Sequence, residues 1–467
     1  MRRLRQLAER TPATRERYVD LLRALAITMV VLGHWGVTVI GYDRAGRPAG
    51  HSALGDLPWA WPLTWVAQVM PVFFLVGGYA NAASLAARRA RGGTATGWLV
   101  DRSARLARPT TALLVVLAAG AAVATLRGAD PTQVRTVVWF ATIPLWFLVA
   151  YLVVVPLTPP MYALHRRFGL AVPVVLVALV ALGDLGRLLG PAGLATGNYL
   201  FGWLAVHQLG FAWYDARNPG GRPEGQPAGS VDAGPRGLRR RRLPLSRRAG
   251  AALLGGGLAA LLLLTVVGPY PVVLLNVPGE RLDNAAPPSL ALLAAATAQL
   301  GLILLLREPA QRWLRRPRPW QAVIAVNAVV LTVFLWHLTA AVLLVGLLDA
   351  LGVLPTPPVG TAAWYAWRIP WLLALAVVLA ALVAVFGPIE ARTRRPPDTG
   401  PAREGARRLR TALAVLGYAG LVTGLLLNSL TRKAAPEPLG LPAPALVAYL
   451  AGAGVLRLLR SGWGTRG

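Results

Sequence analysis

The sequence predicts an all-α, polytopic integral membrane helical bundle, with about ten core transmembrane helices and one or two extra C-terminal helices. Three observations carry this. The 467 residues are 55% hydrophobic and only 14% charged, with a mean hydropathy of +0.52, whereas soluble chains carry about a quarter charged residues. The apolar residues come in runs of about twenty, the length that crosses ~30 Å of hydrocarbon at 1.5 Å per residue. The basic residues alternate from one connection to the next.

The runs occupy 20–41, 61–85, 109–126, 137–157, 168–188, 198–214, 249–267, 288–306, 321–348, 367–386 and 413–430, with a shorter one at 443–456. The first follows a basic stretch but runs too long, and without a small-residue cleavage site, to be a removable signal peptide. It therefore reads as a membrane helix. Connections 88–108, 166–167, 217–248, 307–318 and 392–410, together with the N-terminus, hold most of the 48 Lys and Arg. The intervening ones hold few, such as Arg44 and Arg47, or Arg187. This positive-inside pattern predicts a cell-membrane protein with both termini cytoplasmic. It accounts for the net charge of +29 with no nucleic acid partner.

The same pattern divides the chain into a basic cytoplasmic N-terminus 1–19, a membrane domain 20–390, a basic linker 391–411 and C-terminal transmembrane segments 412–467. Segment 215–248, rich in Gly, Pro and Arg, reads as a mobile cytoplasmic loop. Its basic run suits anionic membrane lipid, or serves topology alone. The chain lacks cysteine, which excludes disulfides, thiolate metal sites and a cysteine acyl-enzyme. Neither a Gly-rich phosphate loop with Lys nor a zinc-spaced His pair is present, so neither ATP-driven nor metal chemistry, nor a bound cofactor, is expected.

Charged side chains inside a span cost about 2.5–3.5 kcal/mol each on insertion scales and point to function. The first span holds Asp20, Arg23 and His34. Arg23 and His34 are eleven positions apart, three turns and about 20°, so they share a face about 16 Å apart, with Asp20 one turn before Arg23.

Those residues, within Arg17-Tyr18-Val19-Asp20-Leu21-Leu22-Arg23-Ala24-Leu25-Ala26 and followed by His34, resemble the first helix of the acyltransferase-3 family, whose signature there is an Arg, ten residues, then a His. Other motifs fall in family order. Phe73-Phe74-Leu75-Val76-Gly77-Gly78 resembles the second-helix motif, Arg102, Arg105 and Arg108-Pro109 the arginine-rich entry to the third helix, and Leu145-Trp146-Phe147-Leu148 the fourth-helix Trp motif. Phe334-Leu335-Trp336-His337 resembles the late helix that ends in an aromatic residue and His. The resemblance covers roughly residues 15–390 and departs at Gly77, where the family carries Ser. The Gly77-Gly78 pair would instead allow close helix approach.

The resemblance implies a membrane enzyme that acylates sugars, lipids or antibiotics, with acyl-CoA as co-substrate. His34 then serves as general base or as a transient acyl carrier. Arg23 pairs with Asp20, binds donor phosphate or polarises the carbonyl. Arg102, Arg105 and Arg108 are expected to bind donor phosphates, with ordinary positive-inside charge as the alternative. Trp146, read near mid-span, lines a pocket or packs. His337, close to the depth of His34, and its neighbour Trp336 hold the acceptor or assist a proton relay. His207, beside Gln208, is a weaker candidate, and His51 and His165 read as ordinary residues of connections. Asn276, Glu280, Asp283 and Asn284 gather before Pro287-Pro288-Ser289, as an acceptor mouth or as a solvated turn.

The expected function is transfer of an acetyl or other short acyl group from cytoplasmic acyl-CoA to a hydroxyl or amine of a glycan, lipid or small-molecule acceptor. Two rivals use the same residues: a transporter or exporter with Asp, Arg and His as a relay, and a non-catalytic membrane scaffold. Uptake without acylation marks the first, and indifference to loss of Arg23 and His34 marks the second.

Overall fold

The computed structural model describes residues 15–44, 46–218, 243–276, 282–391 and 404–461. The basic loop therefore lies mostly outside the described residues, as do Glu280 and residues 392–403 of the linker.

Helix α1 is Arg17–Val37, followed by a hairpin of β1 Thr38–Tyr42 and β2 Pro48–Ser52. Next come α2 Met70–Ala90, α3 Ala95–Leu126, α4 Pro131–Thr142 and α5 Leu145–Val154. They are followed by α6 Thr158–Phe168, α7 Ala171–Leu189, α8 Asn198–Arg217 and α9 Arg247–Leu262. The rest are α10 Leu290–Trp313, α11 Pro317–Ala328, α12 Val330–Ala350, α13 Ala362–Ala391, α14 Glu404–Leu430 and α15 Ala443–Arg460. Eleven helical stretches among the described residues are long and apolar enough to cross a bilayer, which makes the chain an all-α polytopic bundle. Helix α8 is not among them. It carries Asn198, His207, Gln208 and Asp215 and buries most of its surface in protein, so it need not be apolar to lipid.

Four expected boundaries shift for local reasons. The first span stops at Val37, and the residues read as its end pair in the hairpin. The second is interrupted at Gln68–Val69, and α2 opens with Pro71 in its first turn, where a missing N–H does no harm. The run 137–157 breaks between α4 and α5 around Pro144, and 321–348 breaks at Val329. Conversely, Pro109 does not begin a helix. It sits inside the 32-residue α3, which is capped by Thr94, whose hydroxyl accepts from the Gly97 N–H. Arg102, Arg105 and Arg108 are thus helical, not part of a connection.

The chain divides into two compact units. The first comprises Met1–Val30, Ser52–Gly93 and Val154–Asn327. Its centre is α8 against α2, where Phe74 stacks on Trp203 at 4.5 Å between ring centroids. A Cβ on Gly78 would collide with the His207 carbonyl oxygen and lie 3.1 Å from the Gly210 Cα, so the two backbones touch because neither glycine has a side chain. Gly78→Ala must force the helices apart, an overpacking cost of about 1–3 kcal/mol. The expected result is a lower thermal midpoint in detergent, and an unchanged midpoint would contradict this contact. Beside this centre, Asp184 accepts from Asn198 at 3.0 Å, Tyr270 at 2.8 Å and the Leu290 N–H at 2.8 Å. Burial, and then the Asp184 charge, pushes the Tyr270 phenol up, so it stays a donor.

The second unit comprises Val31–His51, Thr94–Val153 and Ala328–Gly467. Here α14 and α15 pack through Gly417, Gly420, Gly424 and Gly452, at each of which an added Cβ would crowd backbone of the facing helix. Arg135 of α4 is fully buried. Its guanidinium donates to the Asn428 side chain at 2.8 Å and to the carbonyls of Asn428, Thr431 and Gly440 at 2.9, 3.0 and 3.1 Å. It thereby closes the C-terminal end of α14, whose last carbonyls lack helical partners.

Candidate active site

His34 and His337 meet in the second unit although 303 positions separate them. Helix α1 supplies the first in its last turn, and α12 supplies the second from its middle. His34 Nδ1 lies 2.7 Å from His337 Nε2, with the rings stacked at 5.0 Å and 23°. His337 Nδ1 is 2.6 Å from the Phe334 carbonyl oxygen.

That carbonyl decides the tautomers. It can only accept, so His337 carries its proton on Nδ1, and a neutral His337 presents a bare Nε2. His34 then donates from Nδ1, which leaves its own Nε2 as a lone pair. Among the described residues no group takes up that atom, and His34 is half-buried, whereas His337 is fully buried. The result is a base held in one tautomer by a second group that is itself oriented.

The surroundings hold both rings in place. Trp35 Nε1 donates to the His337 carbonyl at 2.9 Å. The Thr38 hydroxyl donates to the His34 carbonyl at 2.6 Å. Glu390 receives the Leu331 N–H at 3.1 Å, and the Thr332 N–H and hydroxyl at 2.7 Å each. A carboxylate from α13 thus caps α12, where no residue before Val330 does so. Trp336 stacks on Phe386 at 4.0 Å and is buried.

Aromatic contacts lead from the histidines towards the arginines of α3. Phe334 lies 6.0 Å from the His337 ring and 5.5 Å from Phe147, and Phe147 is 6.2 Å from Tyr151. The Tyr151 oxygen accepts from Arg102 Nη2 at 3.0 Å. Arg105 and Arg108 are exposed. Trp146 is in the second position of α5, not at mid-span, because the run breaks before Leu145; its ring is half-buried.

The remaining expected residues lie in the first unit. Asp20 is buried and pairs with Arg23 at 3.2 Å and with Arg15 at 2.7 Å. The Asn327 amide donates to the Asp20 carbonyl at 2.9 Å. Phe73, Phe74, Gly77 and Gly78 are buried in α2. Asn284 does not line a mouth. It is fully buried, donates to the carbonyls of Pro271 and Val273 at 2.9 Å each, and accepts from the Ser289 hydroxyl at 2.6 Å. Its polar atoms brace the turn before α10. His207 is buried 3.1 Å from the Asn81 amide. His165, read as part of a connection, is buried in α6 beside Asp215, 3.8 Å away.

Sequence reading missed Glu390 and Arg368. Both fall at the edges of the run 367–386, where a charge ordinarily marks the water boundary. The structure extends that helix to Ala362–Ala391 and encloses both.

Residues 16–389 match the family model described as an acyltransferase domain. Neither a curated protein nor a solved structure matches the chain.

Proposed function

Since the chain belongs to the acyltransferase-3 family, and so is a multi-pass membrane acyltransferase, we propose that it moves an acetyl or other short acyl group from acyl-CoA to a hydroxyl or amine of a glycan, lipid or small-molecule acceptor. The proposed setting is the cell membrane, with both termini cytoplasmic. Acyl-CoA is a co-substrate and no cofactor is bound.

The observation that supports this reading is the open Nε2 of His34, backed by His337 at 2.7 Å. The acceptor O–H or N–H gives its proton to that nitrogen as the heteroatom attacks the thioester carbonyl. The imidazolium so formed keeps its Nδ1–H bonded to His337, whose Nε2 stabilises the charge. The tetrahedral intermediate expels the CoA thiolate, which recovers the proton from His34 Nε2 and leaves as the thiol. His337 is a positioning residue here, since both its nitrogens are occupied and it is shut away from solvent. For the same reason of burial, Trp336 and Asn284 are not assigned to the acceptor.

Arg102, Arg105 and Arg108 are proposed to hold the donor phosphates, because planar guanidinium matches phosphate well and the Tyr151–Phe147–Phe334 contacts run from Arg102 to the histidines. Trp146 belongs to the same short helix α5. Arg23, held by Asp20, remains in the proposal as the second basic group of α1.

The test is radiolabelled acetyl-CoA with purified protein, following free CoA and the label. Arg102→Gln is expected to raise the KM for acetyl-CoA about tenfold with kcat held, the mark of a lost uniform binding contact. Folded wild-type protein that neither binds nor cleaves acetyl-CoA would remove the donor assignment. Label retained on His34 would make it the acyl carrier.

A further inference from the structure

Arg368 is the only charged residue of α13 besides Glu390. The two are 22 positions apart, about 33 Å along the helix, and Glu390 is committed to capping α12. Among the described residues no carboxylate pairs with Arg368, and its interactions are two. Nη1 donates to the Thr38 carbonyl at 2.9 Å, and the guanidinium lies over the Trp364 ring at 4.6 Å. Together these fix its plane and consume one corner.

What is left is the Nε–Nη2 edge, the side of the fork that grips a carboxylate or phosphate through two parallel bonds. Nε is shut off from water without a partner, and no described group bonds Nη2. A buried donor left unmade is unfavourable, and an unneutralised cation in a membrane helix more so. An anion on that edge recovers both. The place is also specific. Thr38 joins Arg368 to the histidine pair, since its hydroxyl holds the His34 carbonyl while its own carbonyl holds the guanidinium. It is the first residue of β1, four positions beyond His34.

We propose that Arg368 binds an anionic group, phosphate or carboxylate, carried by the acyl acceptor, and so anchors that acceptor beside His34. The role as acceptor anchor rests on the acyl-transfer reading; the anion site itself does not. The shared chemistry is an oxyanion with two oxygens available to the Nε–Nη2 edge, from a lipid headgroup or from a soluble phosphorylated molecule.

The experiment uses the full chain in phosphatidylcholine nanodiscs. One arm adds phosphatidylglycerol to the disc, and the other titrates glycerol 1-phosphate. Binding is read from the thermal midpoint and from tryptophan emission. Wild type is expected to show saturable stabilisation in at least one arm, and the responding arm names the source. Arg368→Gln is expected to weaken it at least tenfold. Arg368→Lys keeps the charge without the fork and is expected to weaken it several-fold, which covers the case in which the Gln variant fails to fold. No response of wild type in either arm, or equal affinity in wild type and Arg368→Lys, overturns the proposal. Arg368-dependent binding in a protein that never cleaves acetyl-CoA would keep the anion site and remove the acetyl-CoA donor assignment.

Discussion

Replacing His34 with alanine is expected to lower kcat for acyl transfer by about 10²–10⁴-fold, the usual contribution of a positioned base, with the KM for acyl-CoA little changed. The size follows from the geometry, because Nε2 is the one nitrogen of the histidine pair without a partner among the described residues. His337→Ala is expected to cost less, since it removes only the group that orients His34 and stabilises its charge. The sharper test is the pair. If His337 acts through His34, then removing both is no worse than removing His34 alone, because the two work as one unit. Strict additivity of the two losses in kcat would instead show separate roles. Added imidazole should restore part of the rate to His34→Ala, where it fills the space left by the base.

The second large effect is on stability. Arg135→Ala removes at least four hydrogen bonds from a charged donor and leaves the carbonyls of Asn428, Thr431 and Gly440 without it. Bonds to charged groups contribute about 1.5–3 kcal/mol each, though not additively, so a loss of about 3–5 kcal/mol is expected. It should be felt first in the segment between α14 and α15. Hydrogen exchange and limited proteolysis at residues 428–442 should both rise sharply. Arg135→Lys is expected to rescue little, since three donors on one nitrogen cannot span groups that a planar fork reaches together. Wild-type protection of that segment in Arg135→Ala would mean that the glycine packing of α14 on α15 suffices.

Arg135 also shows how legibility varies along the chain. By sequence it was one arginine at the edge of an apolar run, indistinguishable from a topology charge. Its partners are mostly backbone carbonyls about three hundred positions away, and a carbonyl leaves no trace in residue type. Glu390 and Arg368 went unseen for the same reason. Each caps or holds backbone of a distant segment, so neither has a charged partner whose identity would give it away. Asn284 was misplaced in the opposite sense. A polar residue before Pro287-Pro288 reads as solvated, yet its amide is buried bracing the turn.

The sequence by itself determined what depends on composition and short spacing. Runs of about twenty apolar residues fix the helical membrane architecture, because a backbone in hydrocarbon must satisfy its own hydrogen bonds. Arg23 eleven positions before His34, with the later motifs in order, marks the acyltransferase-3 family. Tertiary structure alone decided where the helices break, because a proline is tolerated inside α3 and interrupts the run around Pro144, according to how the freed backbone groups are satisfied. It alone decided which histidine keeps an open nitrogen. Both rings are the same chemical group in the sequence; one carbonyl, that of Phe334, orients His337, which turns His34 so that its Nε2 is left open.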